Sequence, residues 1–358
     1  MMNQKKSNVL FIVTKSEPGG AQKFVFEQLL ILEGEFNLFL ATDLPGWLFK
    51  VSESKLCNSL LDDRIKGISI IYLFKLMQFI INNDIHLIVC NSANGGLYGR
   101  LAAFLLRRKS IYVSHGWSST YRGKKLAFIF NKIEKLLSII SSSILCISEN
   151  DKNIARSKIH IKQGLIKTIL NKTFPVPLNK PVSVRTDSNK IVRLLTVARL
   201  DYPKRVDLII EAFGNMENIE VYIVGGGPQE DSLRDKLENG LISNIFLLGT
   251  ISSFCDFRNY DIFTLLSDSE GLPMSAIEAM SCELPLLLSD VGGCNELIEN
   301  NGILVKNEIS SIRMGLTECI KNSERFRAAS ISLFNKKFNL EMNKQEYVNY
   351  YQSIVFKK

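Results

Sequence analysis

The stretch DIFTLLSDSEGLPMSAIEAMSCELPLLLSD, residues 261–290, decides the fold class. Its apolar runs 261–267 and 285–290 are typical of buried strands, and a helix is predicted from Pro273, because proline fits the first turn of a helix. Two strands separated by a helix predict a right-handed crossover between parallel strands. The sequence therefore predicts an α/β protein.

Two glutamates follow the first of these strands. Glu270 stands at its carboxyl end, and Glu278 lies about two turns into the helix at 3.6 residues per turn. The pair could hold two hydroxyl-bearing parts of one ligand, with N–H groups at the helix start binding an anion between them. Spacing alone leaves a second interpretation open, in which both glutamates are solvated charges.

Strand and helix patterns alternate along most of the 358 residues, a length that suits two domains. The alternation breaks at 171–190, a polar stretch with three prolines. We predict a doubly wound, Rossmann-like domain over 1–172, a linker over 173–190, a second such domain over 191–340, and a C-terminal helix over 341–358 that packs back on the first domain. Ligands of such sheets bind at the carboxyl ends of the strands, so the predicted site is a cleft across which the domains face each other.

Composition narrows the class of protein. With 46% hydrophobic and 22% charged residues, the chain reads as globular. Its net charge of +8 favours an anionic partner: a phosphate-bearing ligand, nucleic acid or an acidic membrane surface. The seven cysteines form no C-x-x-C pair and most lie in apolar runs, which predicts free thiols in a reducing cytosol. Neither a signal peptide nor an apolar run of about 20 residues is recognised.

Further candidate residues follow other predicted strands. Gly19 and Gly20 open the first helix, whose N-terminus favours an anion, although a tight turn alone would also need glycine. His115 lies where a strand ends and can exchange a proton near pH 7, and a structural histidine is the alternative. Arg199 and Lys204 can hold a diphosphate together, and a solvated loop is the alternative.

Taken in their order along the chain, these motifs resemble those of a known family. EGLPMSAIEAMSCELPLLLSDVGGCNELI (270–298) closely resembles the nucleotide-sugar-binding signature of the retaining glycosyltransferases of family 4, which have the GT-B fold. VARLDYPKRVDLIIEAF (197–213) is similar to that family's phosphate-binding strand and loop, and PGGAQKFVFEQL (18–29) to its first loop. CISEN (146–150) is similar to the last strand of its N-terminal half.

The resemblance implies a nucleotide-sugar donor, with a UDP-sugar favoured and a GDP-sugar as the alternative. It implies that Arg199 and Lys204 bind the diphosphate, Glu278 the ribose and Glu270 the transferred sugar, with His115 beside the sugar and acceptor. The other implied donor-binding residues are Gly19, Gly20, Gly226, Ile251, Gly271, Leu272, Pro273, Met274 and Ser275. Two cations and helix N–H groups would stabilise the departing diphosphate. The family is thought to retain anomeric configuration by same-face attack, with no required metal or cofactor.

A basic belt crosses the first half, and apolar residues interleave it at helical spacing over 122–140. A basic amphipathic helix suits anionic lipid, and the alternative is a solvated helix whose apolar face is core. Because family members often dock on the cytoplasmic leaflet, we expect a cytoplasmic enzyme that is peripheral on the inner face of the plasma membrane. Its expected acceptor is an undecaprenyl-diphosphate-linked glycan of O-antigen, capsule or exopolysaccharide synthesis.

Two other classes of function stay open. One is a GT-B-type sugar-nucleotide epimerase or hydrolase, which would share the donor site without a sugar acceptor. The other is a non-catalytic, bilobed sugar-nucleotide-binding protein. Nucleic acid is not expected as a partner, because no motif accompanies the positive charge.

Overall fold

The computed structural model describes residues 6–117, 126–177 and 191–356. Contacts divide the chain into two compact units, Met1–Asn171 together with Asn343–Lys358, and Lys172–Met342. Each unit contains a parallel β-sheet with helical crossovers, which confirms the predicted α/β class. Of the predicted linker, residues 178–190 lie outside the described residues.

The sheet of the first unit is doubly wound. Its strands are β1 (Asn8–Ile12), β2 (Asn37–Thr42), β3 (Asn58–Leu61), β4 (Leu87–Asn91), β5 (Lys109–Ser114), β6 (Ser143–Cys146) and β7 (Ile166–Thr168). They are ordered β3-β2-β1-β4-β5-β6-β7. The chain winds outward from β1 to β3 and then continues on the other side of β1, so the switch point lies between β1 and β4. The central strands are apolar and buried because helices cover the sheet.

Helices connect these strands and supply the rest of the core. Their bounds are Gly20–Leu32, Trp47–Ser52, Ile70–Asn82, Ala93–Leu105, Ala127–Ile139 and Glu149–Ser157. Tyr72 and Leu76 of one helix and Tyr98 and Ala102 of the next pack with the strands in one apolar cluster. Short 3-10 turns lie at Glu53–Lys55, Asp63–Lys66 and Gln163–Leu165.

The helix Leu340–Val355 belongs to the first unit from Asn343 onward. Three of its tyrosine hydroxyls donate hydrogen bonds to that unit, namely Tyr347 to Leu170 O (3.2 Å), Tyr350 to Ser143 Oγ (2.8 Å) and Tyr351 to Gln28 Oε1 (3.1 Å). Burial raises the pKa of each of these tyrosines, so they remain neutral donors.

The second unit repeats the design. Its strands are β8 (Val192–Val197), β9 (Ile219–Val224), β10 (Ile245–Gly249), β11 (Ile262–Leu265), β12 (Leu286–Ser289) and β13 (Gly302–Val305). The order is β10-β9-β8-β11-β12-β13, and every pairing is parallel. The switch point of this sheet therefore lies between β8 and β11.

Five α-helices are described in the second unit: Val206–Phe213, Glu230–Asn239, Met274–Ser281, Ile309–Lys321 and Ser323–Leu333. Short turns lie at Asp256–Asn259 and Gly292–Leu297, and a π-helical turn at Phe334–Phe338. The chain before the undescribed residues is bonded into this unit. Thr173 N–H donates to Phe338 O (3.0 Å), and Val176 N–H donates to Ser281 Oγ (3.1 Å).

Some predicted bounds are wrong. The run 142–150 predicts a strand over its whole length, but β6 ends at Cys146, because Ser148 caps a new helix by accepting a hydrogen bond from Asp151 N–H (3.0 Å). The run 110–116 likewise predicts a strand, and β5 ends at Ser114. Of the predicted helix 122–140, residues 122–125 lie outside the described residues, and the helix is Ala127–Ile139.

Candidate functional site

Two loops leave the second sheet on either side of its switch point. One follows β8 and carries Arg199 and Lys204, and the other follows β11 and carries Glu270. Because β8 and β11 are parallel neighbours, both loops leave at the same carboxyl edge of the sheet. This is the place where doubly wound sheets bind ligands. The structure thus brings Lys204 and Glu270, which are far apart in sequence, to one edge of the sheet.

Lys204 and Glu270 form an ion pair, in which the ammonium donates a hydrogen bond to Oε1 of the carboxylate. The exposed fractions of the two side chains are 19% and 9%. Charges withdrawn this far from water are costly unless each keeps a partner. The pair therefore fixes both side chains, and an incoming diphosphate would compete with Glu270 for the ammonium.

The carbonyl oxygen of Pro203 joins the two loops. It accepts hydrogen bonds from Asp268 N–H (2.9 Å) and from Ser267 Oγ (3.0 Å). Since Pro203 immediately precedes Lys204, these bonds hold the base of the lysine side chain beside the end of β11. The position of the ammonium is therefore set by backbone contacts as well as by its ion pair.

Arg199 is placed differently from Lys204. Its side chain is 65% exposed, and its Nη2 lies 3.4 Å from Oδ2 of Asp201 on the same loop. An exposed pair of this kind contributes little stability, so the guanidinium can exchange its partner at small cost. Arg199 would have to exchange Asp201 for a ligand in order to act together with Lys204.

The sequence did not predict a polar network that surrounds Asp268. The Asn307 amide nitrogen donates to Ser267 O (3.0 Å) and to Asp268 Oδ1 (2.9 Å), and Ser289 Oγ donates to Asn307 Oδ1 (2.5 Å). Arg205 Nη1 also donates to Asp268 Oδ1 (3.3 Å). The carboxylate of Asp268, two residues before Glu270, therefore has protein partners. No local motif marks Asn307, which is 39 residues from Asp268.

The helix that carries Glu278 begins at Met274, so the prediction that Pro273 lies in its first turn is wrong by one residue. Pro273 has φ −68° and ψ 120°, and its carbonyl oxygen accepts a hydrogen bond from Ile277 N–H (3.3 Å), which is the geometry of an N-cap residue. Glu278 is half-buried on this helix. Around the helix start, Leu272 and Met274 are buried, and Gly271 and Ser275 are half-buried.

The glycine pair after β12, Gly292 and Gly293, packs against the loop that carries Glu270. A Cβ at Gly292 would overlap the carbonyl oxygen of Glu270, and one at Gly293 would overlap that of Gly271. Gly292 also has φ +54°, which disfavours any other residue. The Gly-Gly turn therefore supports the glutamate loop through direct backbone contact.

The glycine triplet after β9 supports the β8 loop in the same way. Gly225 and Gly227 have φ +141° and +158°, and a Cβ on either would overlap the carbonyl oxygen of Ala198 or Leu200. Gly226 O accepts a hydrogen bond from Leu200 N–H (2.9 Å). Close backbone packing thus accounts for this motif. Ile251, 43% exposed, lies after β10 and hence two strands away from β8.

A family model described as "Glycosyl transferases group 1" matches residues 182–331. The O-antigen biosynthesis glycosyltransferase WbnH of Escherichia coli is 39% identical over 350 residues, which are 97% of this chain and 99% of that protein. The chain belongs to the group 1 glycosyltransferases. The glycosyltransferase activity predicted from the sequence is thereby confirmed.

Two further similarities extend this result. The UDP-Gal:alpha-D-GlcNAc-diphosphoundecaprenol alpha-1,3-galactosyltransferase of Escherichia coli is 27% identical over 269 residues, covering 68% of this glycosyltransferase and 67% of that protein. The crystal structure of HepE from Anabaena, in complex with UDP and glucose, matches with a TM-score of 0.82 at 18% identity and covers 96% and 99% of the two chains. The predicted GT-B fold is confirmed by this match.

In the first unit of the glycosyltransferase, the predicted glycine loop is exposed. Gly20 is the first residue of the helix Gly20–Leu32, and Gly19 precedes it in an extended conformation, φ 179°. A Cβ at Gly19 would lie 2.6 Å from Oε1 of Gln22, whose amide nitrogen donates to Lys15 O (2.9 Å). Glycine at position 19 therefore leaves room for the Gln22 side chain.

His115 follows β5 and is partly buried. Burial lowers the pKa of its imidazole from the usual 6.5 to about 4, so the ring is neutral at neutral pH. Its Nε2 lies 2.8 Å from Oδ1 of Asn91, the last residue of β4. Phe24 packs edge-on against the ring, with 5.0 Å between the ring centroids. A neutral ring can exchange hydrogen bonds with a hydroxyl, but it supplies no positive charge to a diphosphate.

Five of the seven cysteines are buried, and all seven are free thiols, as predicted: Cys57, Cys90, Cys146, Cys255, Cys282, Cys294 and Cys319. Within the described ranges, no group of three His, Cys, Asp or Glu side chains is arranged to hold a metal ion. No helix among the described residues is long and apolar enough to cross a membrane.

Proposed function

We propose that this enzyme transfers a sugar, with retention of configuration, from a UDP-sugar to a hydroxyl of an undecaprenyl-diphosphate-linked glycan in O-antigen synthesis. The observation that carries the proposal is the placement of Lys204 and Glu270 together at the switch point of the second sheet. WbnH is named for O-antigen biosynthesis, and the galactosyltransferase of Escherichia coli for UDP-Gal and a diphosphoundecaprenol-linked acceptor. The HepE structure contains UDP. These relatives support the proposed partners.

The donor diphosphate is proposed to replace Glu270 as the partner of Lys204 and to recruit Arg199 from Asp201. Both exchanges leave each cation with an anionic partner, so neither cation is left unpaired. Negative charge then grows on the departing diphosphate next to two cations that are already in place. Glu270, released from the lysine, is proposed to contact the transferred sugar, and Glu278 the ribose.

His115 is proposed to lie beside the reacting hydroxyls. Its neutral imidazole can bind a sugar or acceptor hydroxyl through a hydrogen bond. In this proposal the acceptor attacks the face from which the diphosphate leaves. Because Arg199 and Lys204 supply the positive charge that a metal ion supplies in other transferases, no metal or cofactor is required.

The helix Ala127–Ile139 is the proposed membrane contact. Its exposed apolar residues are Phe128, Ile129, Ile133, Leu136 and Ile139, each with an exposed fraction of 43% or more. Only Leu137 and Ser138 of this helix are buried, which argues against an apolar face that is core. Exposed Lys132 and Lys135 interleave the apolar residues, a combination suited to anionic lipid. A cytoplasmic enzyme at the inner face of the plasma membrane is proposed on this basis.

The test is a panel of UDP-, GDP- and ADP-sugars offered with an undecaprenyl-diphosphate-linked glycan or with a soluble glycan. We expect transfer from a UDP-sugar to the lipid-linked glycan. NMR of the product is expected to show the same anomeric configuration as the donor. Donor consumption without a glycan product would indicate a hydrolase or epimerase, and donor binding without turnover a binding protein. Sedimentation with anionic vesicles tests the membrane contact. A protein that stays in solution and uses only the soluble glycan contradicts it.

A further inference from the structure

Asn91 contacts the imidazole of His115 from the neighbouring strand. It is the last residue of β4, which runs parallel to β5, and it lies opposite Val113 in that pairing. The side chain of Asn91 is fully buried, with an exposed fraction of 0%. Its Oδ1 lies 2.8 Å from Nε2 of His115. The sequence marks Asn91 only as a strand end, so this contact emerges from the structure alone.

The amide orientation fixes the proton on the imidazole. The side-chain nitrogen of Asn91 donates a hydrogen bond to Val89 O (3.3 Å), which directs the amide oxygen toward His115. An amide oxygen can only accept, so Nε2 of His115 carries the hydrogen that joins them. In a neutral imidazole the other nitrogen, Nδ1, is then an acceptor. No described residue forms a hydrogen bond to Nδ1.

The residues around this contact hold it in place. Ser92, directly after Asn91, has φ +67°, a conformation that residues other than glycine seldom adopt. Its Oγ accepts a hydrogen bond from Thr14 N–H (3.0 Å), which ties the end of β4 to the end of β1. On the other side, Phe24 packs against the imidazole at 5.0 Å. The amide and the ring are therefore both restrained.

We propose that Asn91 is a positioning residue that holds His115 in the Nε2–H tautomer, so that Nδ1 accepts a hydrogen bond from a hydroxyl of the carbohydrate substrate. The substrate part rests on the proposed function, whereas the tautomer does not. The neutral state of the ring agrees with this role, because an imidazolium has no acceptor.

The tautomer is tested by nitrogen-15 NMR of the imidazoles in the full-length protein without substrate. The chain has three histidines, so His86 and His160 serve as internal references for an intact fold. His115 is expected to show a protonated Nε2 and an unprotonated Nδ1 at pH 7. In Asn91→Leu, which removes the amide at similar size, His115 is expected to become a mixture of tautomers. A protonated Nδ1 in the wild type, or an unchanged tautomer in the variant, would overturn the proposal.

Kinetics test the role in transfer. Asn91→Leu is expected to lower kcat about 10- to 100-fold, which is the loss seen when a residue that orients a functional imidazole is replaced. The donor KM is expected to stay unchanged. Asn91→Asp keeps an acceptor for Nε2–H but raises the pKa of His115, because a carboxylate stabilises the imidazolium. Its kcat is expected to be low at acid pH and to recover as the pH rises. A titratable group close to this loop is Asp151, which accepts a hydrogen bond from Gly116 N–H (3.2 Å) and is unchanged in both variants.

The outcomes separate this inference from the proposed function. A wild type with the stated tautomer and Asn91→Leu with unchanged kcat would refute the positioning role and leave glycosyl transfer standing. A wild type that transfers no sugar under any condition would refute the proposed function, while the NMR result would still decide the tautomer. If the kcat of Asn91→Asp recovers as the pH rises and the kcat of Asn91→Leu does not, the result supports the role of the acceptor oxygen.

Discussion

Lys204 and Glu270 are 66 residues apart in sequence, and their side chains meet in an ion pair at the switch point of the second sheet. Pro203 and the backbone of β11's loop hold this arrangement from one side, and the glycine pair after β12 supports it from the other. The pair is therefore part of the fold. In the proposed function it is also what the donor diphosphate displaces.

The first prediction concerns the competition between Glu270 and the diphosphate. Glu270→Gln removes the charge that holds Lys204 and that repels an incoming anion. UDP is expected to bind about fivefold more tightly, which corresponds to roughly 1 kcal/mol of binding free energy. The kcat is expected to fall, because the transferred sugar loses its partner. Titration calorimetry with UDP and initial-rate kinetics check the two halves. Weaker UDP binding in Glu270→Gln would show that the carboxylate helps the diphosphate to bind.

The second prediction concerns Glu278. Glu278→Ala is expected to raise the donor KM about tenfold or more, because a charge-assisted hydrogen bond to a ribose hydroxyl contributes about 1.5–3 kcal/mol. The matched control is Glu238→Ala, an exposed glutamate on the helix Glu230–Asn239, which should leave the donor KM at the wild-type value. Equal donor KM values in the two variants would remove Glu278 from the site.

The third prediction uses the glycine contact behind Glu270. Gly293→Ala forces a Cβ onto the carbonyl oxygen of Gly271, so the glutamate loop must move. Overpacking of this kind costs about 1–3 kcal/mol of unfolding free energy, and a displaced Glu270 should lower kcat further. Gly164→Ala is the control, because a Cβ there meets nothing within 4 Å. Wild-type kcat in a folded Gly293→Ala would mean that the loop position is unimportant.

The fourth prediction concerns pH and His115. Its pKa is about 4 in the folded chain and about 6.5 when unfolded, so only the unfolded chain takes up a proton between these values. The free energy of unfolding should therefore fall as the pH drops from 6.5 to 4, by at most about 1.4 kcal/mol per pH unit. Denaturant titrations of the wild type and His115→Gln isolate this contribution. Parallel pH profiles for the two proteins would place the pKa of His115 near its ordinary value.

Much of the fold was predictable because its strands are apolar runs bounded by turn residues. The apolar run 8–13 predicts a strand where the structure has β1 (Asn8–Ile12), and the run 245–249 predicts one where it has β10 (Ile245–Gly249). Several of the elements that were missed have no such signal. β3 (Asn58–Leu61) and β7 (Ile166–Thr168) are short, partly exposed strands. The helix Glu149–Ser157 is polar overall, and its only apolar residues, Ile154 and Ala155, are too few to show a helical period.

The sequence named candidate site residues, but it did not predict their contacts. Local chemistry marked Lys204, Glu270 and His115, since each follows an apolar strand and carries a functional group. Their partners lie on other strands and carry no motif: Asn91 reads as a strand end, and Asn307 as part of a loop. Such contacts depend on the order of the strands in the sheet, which a local pattern does not contain.

The most direct test of the central claim, that the second sheet's switch point holds the donor diphosphate, is the affinity of UDP for Lys204→Ala measured by titration calorimetry. The control is Lys321→Ala, whose side chain is 73% exposed. Lys204→Ala is expected to weaken UDP binding at least tenfold, because a charge-assisted hydrogen bond of about 1.5–3 kcal/mol is lost. Lys321→Ala should match the wild type. Equal affinities in all three proteins would contradict the claim.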